Sequence, residues 1–166
     1  MNPANLRIGI GHDTHRLKAG GPLRLGGIDI PFDKSLDGHS DADVLLHAIT
    51  DAVLGAAAMG DIGEMFPNTS AENKNRCSIE MLKIVMERIR EHGFKLLNVD
   101  CIVFAQKPKL SAFKDDISQS VARALDIEPH LVGIKAKTGE GIGDIGQENC
   151  MMAQCVALMY LEGSNE

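Results

Sequence analysis

At 166 residues, with 44% hydrophobic and 24% charged residues, the chain is long enough for one domain with a real core. A formal net charge of −6 removes the basic footprint of a nucleic-acid binder, and a chain with no Trp and one Tyr has no stacking platform. No run of 18 apolar residues exists, so no membrane partner is expected; the opening MNPANLRIGIG has neither signal-peptide nor transit-peptide build, so the expected location is cytoplasmic. Cys77, Cys101, Cys150 and Cys155 form no CxxC pair or zinc-knuckle spacing and read as small apolar side chains in a reducing compartment.

Residues 6–11 alternate Ile8 and Ile10 with Arg7 and Gly9, a short strand. The strand runs into His12-Asp13-Thr14-His15; if the extended conformation persists, Asp13 and His15 point to the same side. Residues 23–30 read as two short strands bent at Gly26-Gly27, and 31–38 as a polar loop. Ser40, three residues before Asp43, resembles a capping box, which sets a helix start at about Ser40 and a stop at Gly60. His39, Asp43, His47 and Asp51 are four apart, so they stack along one side of that element while Val44, Leu45, Ala48, Ala52, Val53 and Leu54 form its packed side. Two imidazoles and two carboxylates on a packed helix demand partners, because unpaired buried charge is costly.

The stretch 68–76 is a polar loop. Residues 78–92 carry Ile79, Leu82, Val85, Met86 and Ile89 at helical spacing, with Gly93 as the stop. Residues 95–105 read as a strand broken by Gln106-Lys107-Pro108-Lys109, and Phe113, Ile117, Val121 and Leu125 as a third amphipathic helix. A strand at 130–137 leads into the glycine-rich 138–143, while 151–161 is apolar nearly throughout and fits either a helix or a central strand. The order predicts an α+β fold, a mixed sheet covered by helices on one face. A single domain over 1–166 is expected, with 1–6 a short N-terminal extension and 163–166 a tail.

Three groups of residues offer chemistry. Asp13, His15 and His47 supply carboxylate and imidazole donors, a set suited to zinc with one position left open. Asp51, one turn past His47, is placed to accept its second ring N–H, or equally to serve a backbone donor. Without a metal, Asp13 is a turn residue and both histidines are satisfied polar groups. The loop after Lys137 lets backbone N–H groups approach a phosphate, with the Thr138 hydroxyl and Glu140 carboxylate beside it; it is otherwise an ordinary turn. Lys107 and Lys109 flank Pro108 and read, on spacing alone, as solvated.

Four segments taken together, GHDTHRL, HSDADVLLHAITDAVLGAAAMGDIGEMFP, AQKPKL and KAKTGE, closely resemble the 2-C-methyl-D-erythritol 2,4-cyclodiphosphate synthase family over residues 7–161. The resemblance implies a homotrimer about a threefold axis, with active sites between neighbours and a small cytidine diphosphate-linked substrate. It implies one zinc per subunit on Asp13, His15 and His47, and magnesium or manganese on Glu140 with the substrate diphosphate. His39 and Thr138 match the residues credited with stabilising the transition state. Around the methylerythritol phosphate and ribose it implies Ser40, Asp61, Ile62, Gly63, Phe66, Pro67, Asn68, Thr69 and Ser70. On the cytidine and diphosphate side it implies Ala105, Gln106, Lys107, Pro108, Lys109, Leu110, Ser111, Lys137 and Gly139. It also makes 151–161 a strand.

The chain departs from the family pattern at Asn68, commonly Asp, and at Lys137, frequently Thr. Asp144 and Gln147 occupy matched ligand positions where some members carry Phe and Arg to hold an isoprenoid diphosphate in the trimer cavity; an acid and an amide predict that this ligand is lost. Two other readings are a zinc hydrolase of phosphodiesters acting through activated water, and a trimeric binding module with a structural metal. The residues that would complete a four-ligand structural site are not evident in the sequence.

Overall fold

The computed structural model describes residues 2–67, 69, 70, 73 and 76–163. Its first strand, β1 (Leu6–Ala19), is longer than 6–11: it continues through the polar Asp13 and His15, so the extended conformation does persist. The hairpin strands β2 (Leu23–Leu25) and β3 (Ile28–Ile30) follow, bent at Gly26 and Gly27, whose φ values of 60° and 79° suit glycine. The expected polar loop at 31–38 contains a strand, β4 (Lys34–Asp37), whose residues pair with Arg16–Ala19 of β1. Its alternation was hidden by the charged ends of so short an edge strand.

Helix α1 (Val44–Ala57) starts four residues later than the capping-box pattern suggests. Asp43, not Ser40, is the N-cap; its Oδ1 accepts the Leu46 N–H at 3.1 Å, while Ala42 before it adopts φ 58°. His39 and Asp43 therefore precede the helix, and of the four-residue series only His47 and Asp51 lie within it. The fully buried Asp43 carboxylate also accepts the N–H groups of Gly26 at 2.9 Å and Gly27 at 2.7 Å, fastening the hairpin to the helix start. The helix ends at Ala57, with Ala58 left-handed.

A short helix α2 (Ile62–Met65), then α3 (Ser78–Glu91), strand β5 (Phe94–Phe104), helix α4 (Lys114–Leu125), strand β6 (Val132–Lys137), a turn of helix α5 (Gly143–Gly146) and strand β7 (Cys150–Leu161) complete the described elements. The apolar run near the C-terminus is thus a strand. The five strands order as β4-β1-β7-β5-β6; β5 and β6 are parallel and the other pairs antiparallel, giving the mixed sheet of an α+β domain.

On one sheet face Met151, Ala153, Cys155, Ala157 and Met159 of β7 alternate inward against α1. Gly9 and Gly11 bring β1 into near contact with that helix: a Cβ on either would sit 1.9 Å from the carbonyl oxygen of Ala52 or Ala48. The opposite face presents Ile8 and Ile10, about 70% exposed, and Val156. No helix among the described residues is long and apolar enough to cross a membrane.

Candidate metal centre

The register β1 keeps as it leaves α1 decides which side chains enter the cavity. Gly9, Gly11, Asp13 and His15 share one side of the strand, so the two glycines allow α1 to approach and the next two inward positions deliver a carboxylate and an imidazole. His47, in the first turn of α1, meets them. Asp13 Oδ2 lies 2.9 Å from His15 Nδ1 and 3.0 Å from His47 Nδ1, and one donor atom from each residue falls within 4.8 Å of the others. The two rings are 5.1 Å apart and tilted by 51°. Gly38 passes under the His15 ring, where a Cβ would be 2.8 Å from its Nε2.

The electrostatics are those of a cation site. Burial by itself would raise the Asp13 carboxyl, but the close approach of the His15 and His47 rings outweighs it and holds the group well below the usual carboxylate range. Burial would lower His47, and the hydrogen bond and charge of Asp13 overcome that and raise it. His15 Nδ1 is buried and has no partner in hydrogen-bonding alignment, even though Asp13 is close. An orphaned imidazole nitrogen beside a carboxylate and a second imidazole nitrogen fits a divalent cation with nitrogen and oxygen preference, zinc above all.

Behind the triad, Asp51 does not reach His47. Its Oδ1 accepts the Ile62 N–H at 2.8 Å, anchoring α2 to α1, and burial raises its carboxyl against that bond. Of the two partners open to Asp51 in the sequence, the backbone donor is the real one. The far nitrogen of His47, Nε2, instead meets Ser78 Oγ at 2.9 Å and Ser40 Oγ at 3.1 Å. Ser78 also donates its hydroxyl to Asp41. Ser78 and Asp41 were missed, since neither lies on the repeating face nor in a metal-ligand pattern; an acid shortly before a helix and a Ser opening the next one were the only signals.

The triad opens on a cavity of about 270 Å³ lined also by His39, Ser40, Ile62, Gly63 and Phe66, with Asn73 and Met81 added to the expected set. Asp61 caps α2 by accepting the Glu64 N–H at 2.9 Å and does not line the cavity. Pro67 and Thr69 are exposed and Ser70 half-buried beyond Phe66, whereas Asn68 lies outside the described residues.

A second cavity, about 390 Å³, lies at the ends of the parallel strands β5 and β6. Ala105, Gln106, Pro108, Lys109, Leu110, Ser111, Lys137 and Thr138 line it, joined by Lys114 and Ala136. Thr138 donates to Glu140 Oε1 at 2.7 Å, and Gly139 packs so closely on Gly146 that a Cβ would lie 2.5 Å from its nitrogen. Lys107 turns away to Glu148 at 2.9 Å. The two cavities share no lining residue. Another hollow, about 890 Å³, is a trough between Arg16, Lys34, Asp144 and Glu148, in which Lys34 is paired with Glu148 at 3.2 Å. Gln147 is exposed beside the trough, and Asp144 lines it and accepts an N–H from the Asn149 side chain at 3.1 Å.

Comparison with known proteins gives one consistent result. The model of a family described as the YgbB family matches residues 6–160. A Treponema denticola protein named 2-C-methyl-D-erythritol 2,4-cyclodiphosphate synthase is 48% identical over 97% of this chain and all of its own length. A Laribacter hongkongensis protein of the same name is 50% identical over 93% of this chain and 96% of its own. Among solved structures, a Plasmodium falciparum IspF described as a CDP complex superposes with a TM-score of 0.84 at 30% identity, over 98% of this chain and all of the other. The bifunctional IspDF of Campylobacter jejuni superposes at 0.91 with 40% identity over 95% of this chain, which spans 42% of that longer protein.

Proposed function

The chain belongs to the YgbB family, that of the 2-C-methyl-D-erythritol 2,4-cyclodiphosphate synthases, and from that premise we propose how its residues carry out the cyclisation. The substrate is 4-diphosphocytidyl-2-C-methyl-D-erythritol 2-phosphate, and the products are the 2,4-cyclodiphosphate and CMP, a step in isoprenoid precursor synthesis in the cytoplasm. An oxygen of the 2-phosphate bonds to the β-phosphorus, the bond from that phosphorus to the oxygen shared with the α-phosphate breaks, and its electron pair leaves with CMP. The nucleophile is a phosphate monoester whose second pKa is about 6, so no strong base is required and no water enters. Catalysis then rests on alignment of two tethered groups and on neutralising charge.

The observation that carries this reading is the convergence of Asp13 Oδ2, His15 Nδ1 and His47 Nδ1 beside a cavity of about 270 Å³. Those three residues would hold zinc, and Glu140 a magnesium or manganese ion. When bound, the two cations supply Lewis-acid neutralisation of the diphosphate. His39 and Ser40, in the wall of the cavity, orient the methylerythritol phosphate, and Ile62, Gly63 and Phe66 exclude water around the sugar. Thr138 turns its hydroxyl from Glu140 to the diphosphate, beside the Lys137 ammonium. The cavity of Ala105 to Ser111 takes the cytidine, a reading supported by the CDP named for the Plasmodium relative.

The two cavities are separate within one subunit, which favours a trimer in which neighbours complete each site, and the exposed Ile8, Ile10 and Val156 supply an apolar surface for it. Phosphorus NMR of the substrate incubated with zinc- and magnesium-loaded protein tests the reaction. Cyclic diphosphate and CMP are expected; inorganic phosphate or a linear diphosphate would point to a hydrolase instead.

A further inference from the structure

The two nitrogens of His47 have different neighbours, and the difference has a chemical consequence. Nδ1 faces Asp13 and the space shared with His15, while Nε2 faces two hydroxyls, Ser78 Oγ at 2.9 Å and Ser40 Oγ at 3.1 Å. A hydroxyl has one proton and two lone pairs, so what it offers an imidazole depends on where that proton goes. The Ser78 proton is committed: its hydroxyl donates to Asp41 Oδ1, and its backbone N–H donates to Oδ2 of the same carboxylate at 3.0 Å. Asp41 in turn is tied down through its own N–H, which donates to the Arg76 carbonyl at 3.2 Å. With its proton given to an Asp41 oxygen, Ser78 presents only lone pairs to His47.

We propose that Ser78, held by Asp41, is the residue that keeps the proton of His47 on Nε2 and so reserves the Nδ1 lone pair for the metal. Ser78 is fully buried and does not line the cavity, so it acts through His47 and is a positioning residue. Ser40 has the complementary part. Its oxygen accepts the Ala42 N–H at 3.2 Å, and it lines the cavity. Once Nε2 carries a proton, the Ser40 hydroxyl hydrogen has no acceptor there and is directed to a ligand. A metal-bound imidazole usually gives its other N–H to a carboxylate, carbonyl or water; here a serine whose proton is taken by an aspartate serves instead. The pair also joins the segment before α1 to the first residue of α3, so the ring is fixed by two elements at once.

The inference rests on the reading of Asp13, His15 and His47 as metal ligands, and the experiment separates the two. Zinc affinity is measured by chelator competition on Ser78→Ala, Ser78→Thr and Asp41→Asn, with His47→Ala and Asp51→Asn as comparisons. Long-range nitrogen–proton correlation spectra of the zinc-loaded wild type, in which the metal takes the place of the Nδ1 proton that Asp13 otherwise accepts, report which His47 nitrogen stays protonated without any mutation. The expected results are a proton on Nε2, a loss of zinc affinity of about 10- to 100-fold in Ser78→Ala, and recovery in Ser78→Thr. Asp41→Asn falls between, and Asp51→Asn leaves zinc affinity unchanged. A zinc-loaded His47 with its proton on Nδ1, or a folded Ser78→Ala that binds zinc like the wild type while His47→Ala does not, would overturn the positioning role alone. Undiminished zinc binding by His47→Ala would overturn the metal reading beneath it.

Discussion

At the scale of single residues, the structure turns a run of polar side chains into separate duties. Asp13, His15 and His47 face one point; Asp43 and Asp51 serve backbone N–H groups instead. Replacing His47 by Ala removes one of three converging donors, so metal content should fall from about one zinc per chain toward none and turnover with it. Circular dichroism should stay native, because the ring is at the rim of the core. Asp51→Asn keeps an acceptor for the Ile62 N–H and should leave metal content intact, whereas Asp51→Ala should loosen α2, seen as faster amide exchange at Ile62. Asp13 and His15 were legible in the sequence because a strand has period two, which puts both on one side wherever the chain stays extended. Asp51 was open to two readings because i,i+4 spacing fixes a shared helix face but not the reach of a side chain, and its carboxylate extends forward to α2. Ser78 lies 31 residues from His47, and only the packing of α3 on α1 creates that contact.

At the scale of elements, local pattern located most of the strands and helices and erred where tertiary contacts decide. The start of α1 was read early because Ser40 and Asp43 look like a capping box, yet the Asp43 carboxylate is claimed by Gly26, Gly27 and Leu46, which makes it the cap itself. Asp43→Ala should therefore cost more than an ordinary cap: about 1 kcal/mol for the cap and about 2 kcal/mol more for the buried Gly26 and half-buried Gly27 donors left unpaired, read from urea unfolding. Strand β1 was cut short because a polar stretch resembles a loop, although pairing with β7 carries it through Arg16. Where α1 crosses it, Gly11→Ala places a Cβ against the Ala48 carbonyl, a backbone atom that cannot swing aside. A loss of at least ~3 kcal/mol is expected, and poor recovery of folded protein is the practical sign.

At the scale of the whole molecule, the sheet has one face packed by helices and one carrying exposed isoleucines, a division the strand alternation foreshadowed without saying what covers the open face. If copies assemble there, Ile10→Asp should convert a trimer to monomers in sedimentation velocity and abolish turnover while the metal triad still binds zinc. Across the trough, Glu148 receives Lys107 at 2.9 Å and Lys34 at 3.2 Å, and these hydrogen bonds hold its carboxyl below its usual range. A carboxyl lowered on folding contributes stability above the unfolded value and loses it as pH falls through the folded one. Glu148→Gln should thus be less stable than the wild type at neutral pH, with the gap closing as pH drops below about 4, followed by urea midpoints. The account as a whole turns on the triad being the metal centre on which the substrate diphosphate is held. Anomalous diffraction at the zinc edge from crystals soaked with zinc and cytidine diphosphate tests it most directly. The account predicts a peak among Asp13 Oδ2, His15 Nδ1 and His47 Nδ1 with a β-phosphate oxygen as a further ligand; a β-phosphate bound away from that peak, or no peak there, would contradict it.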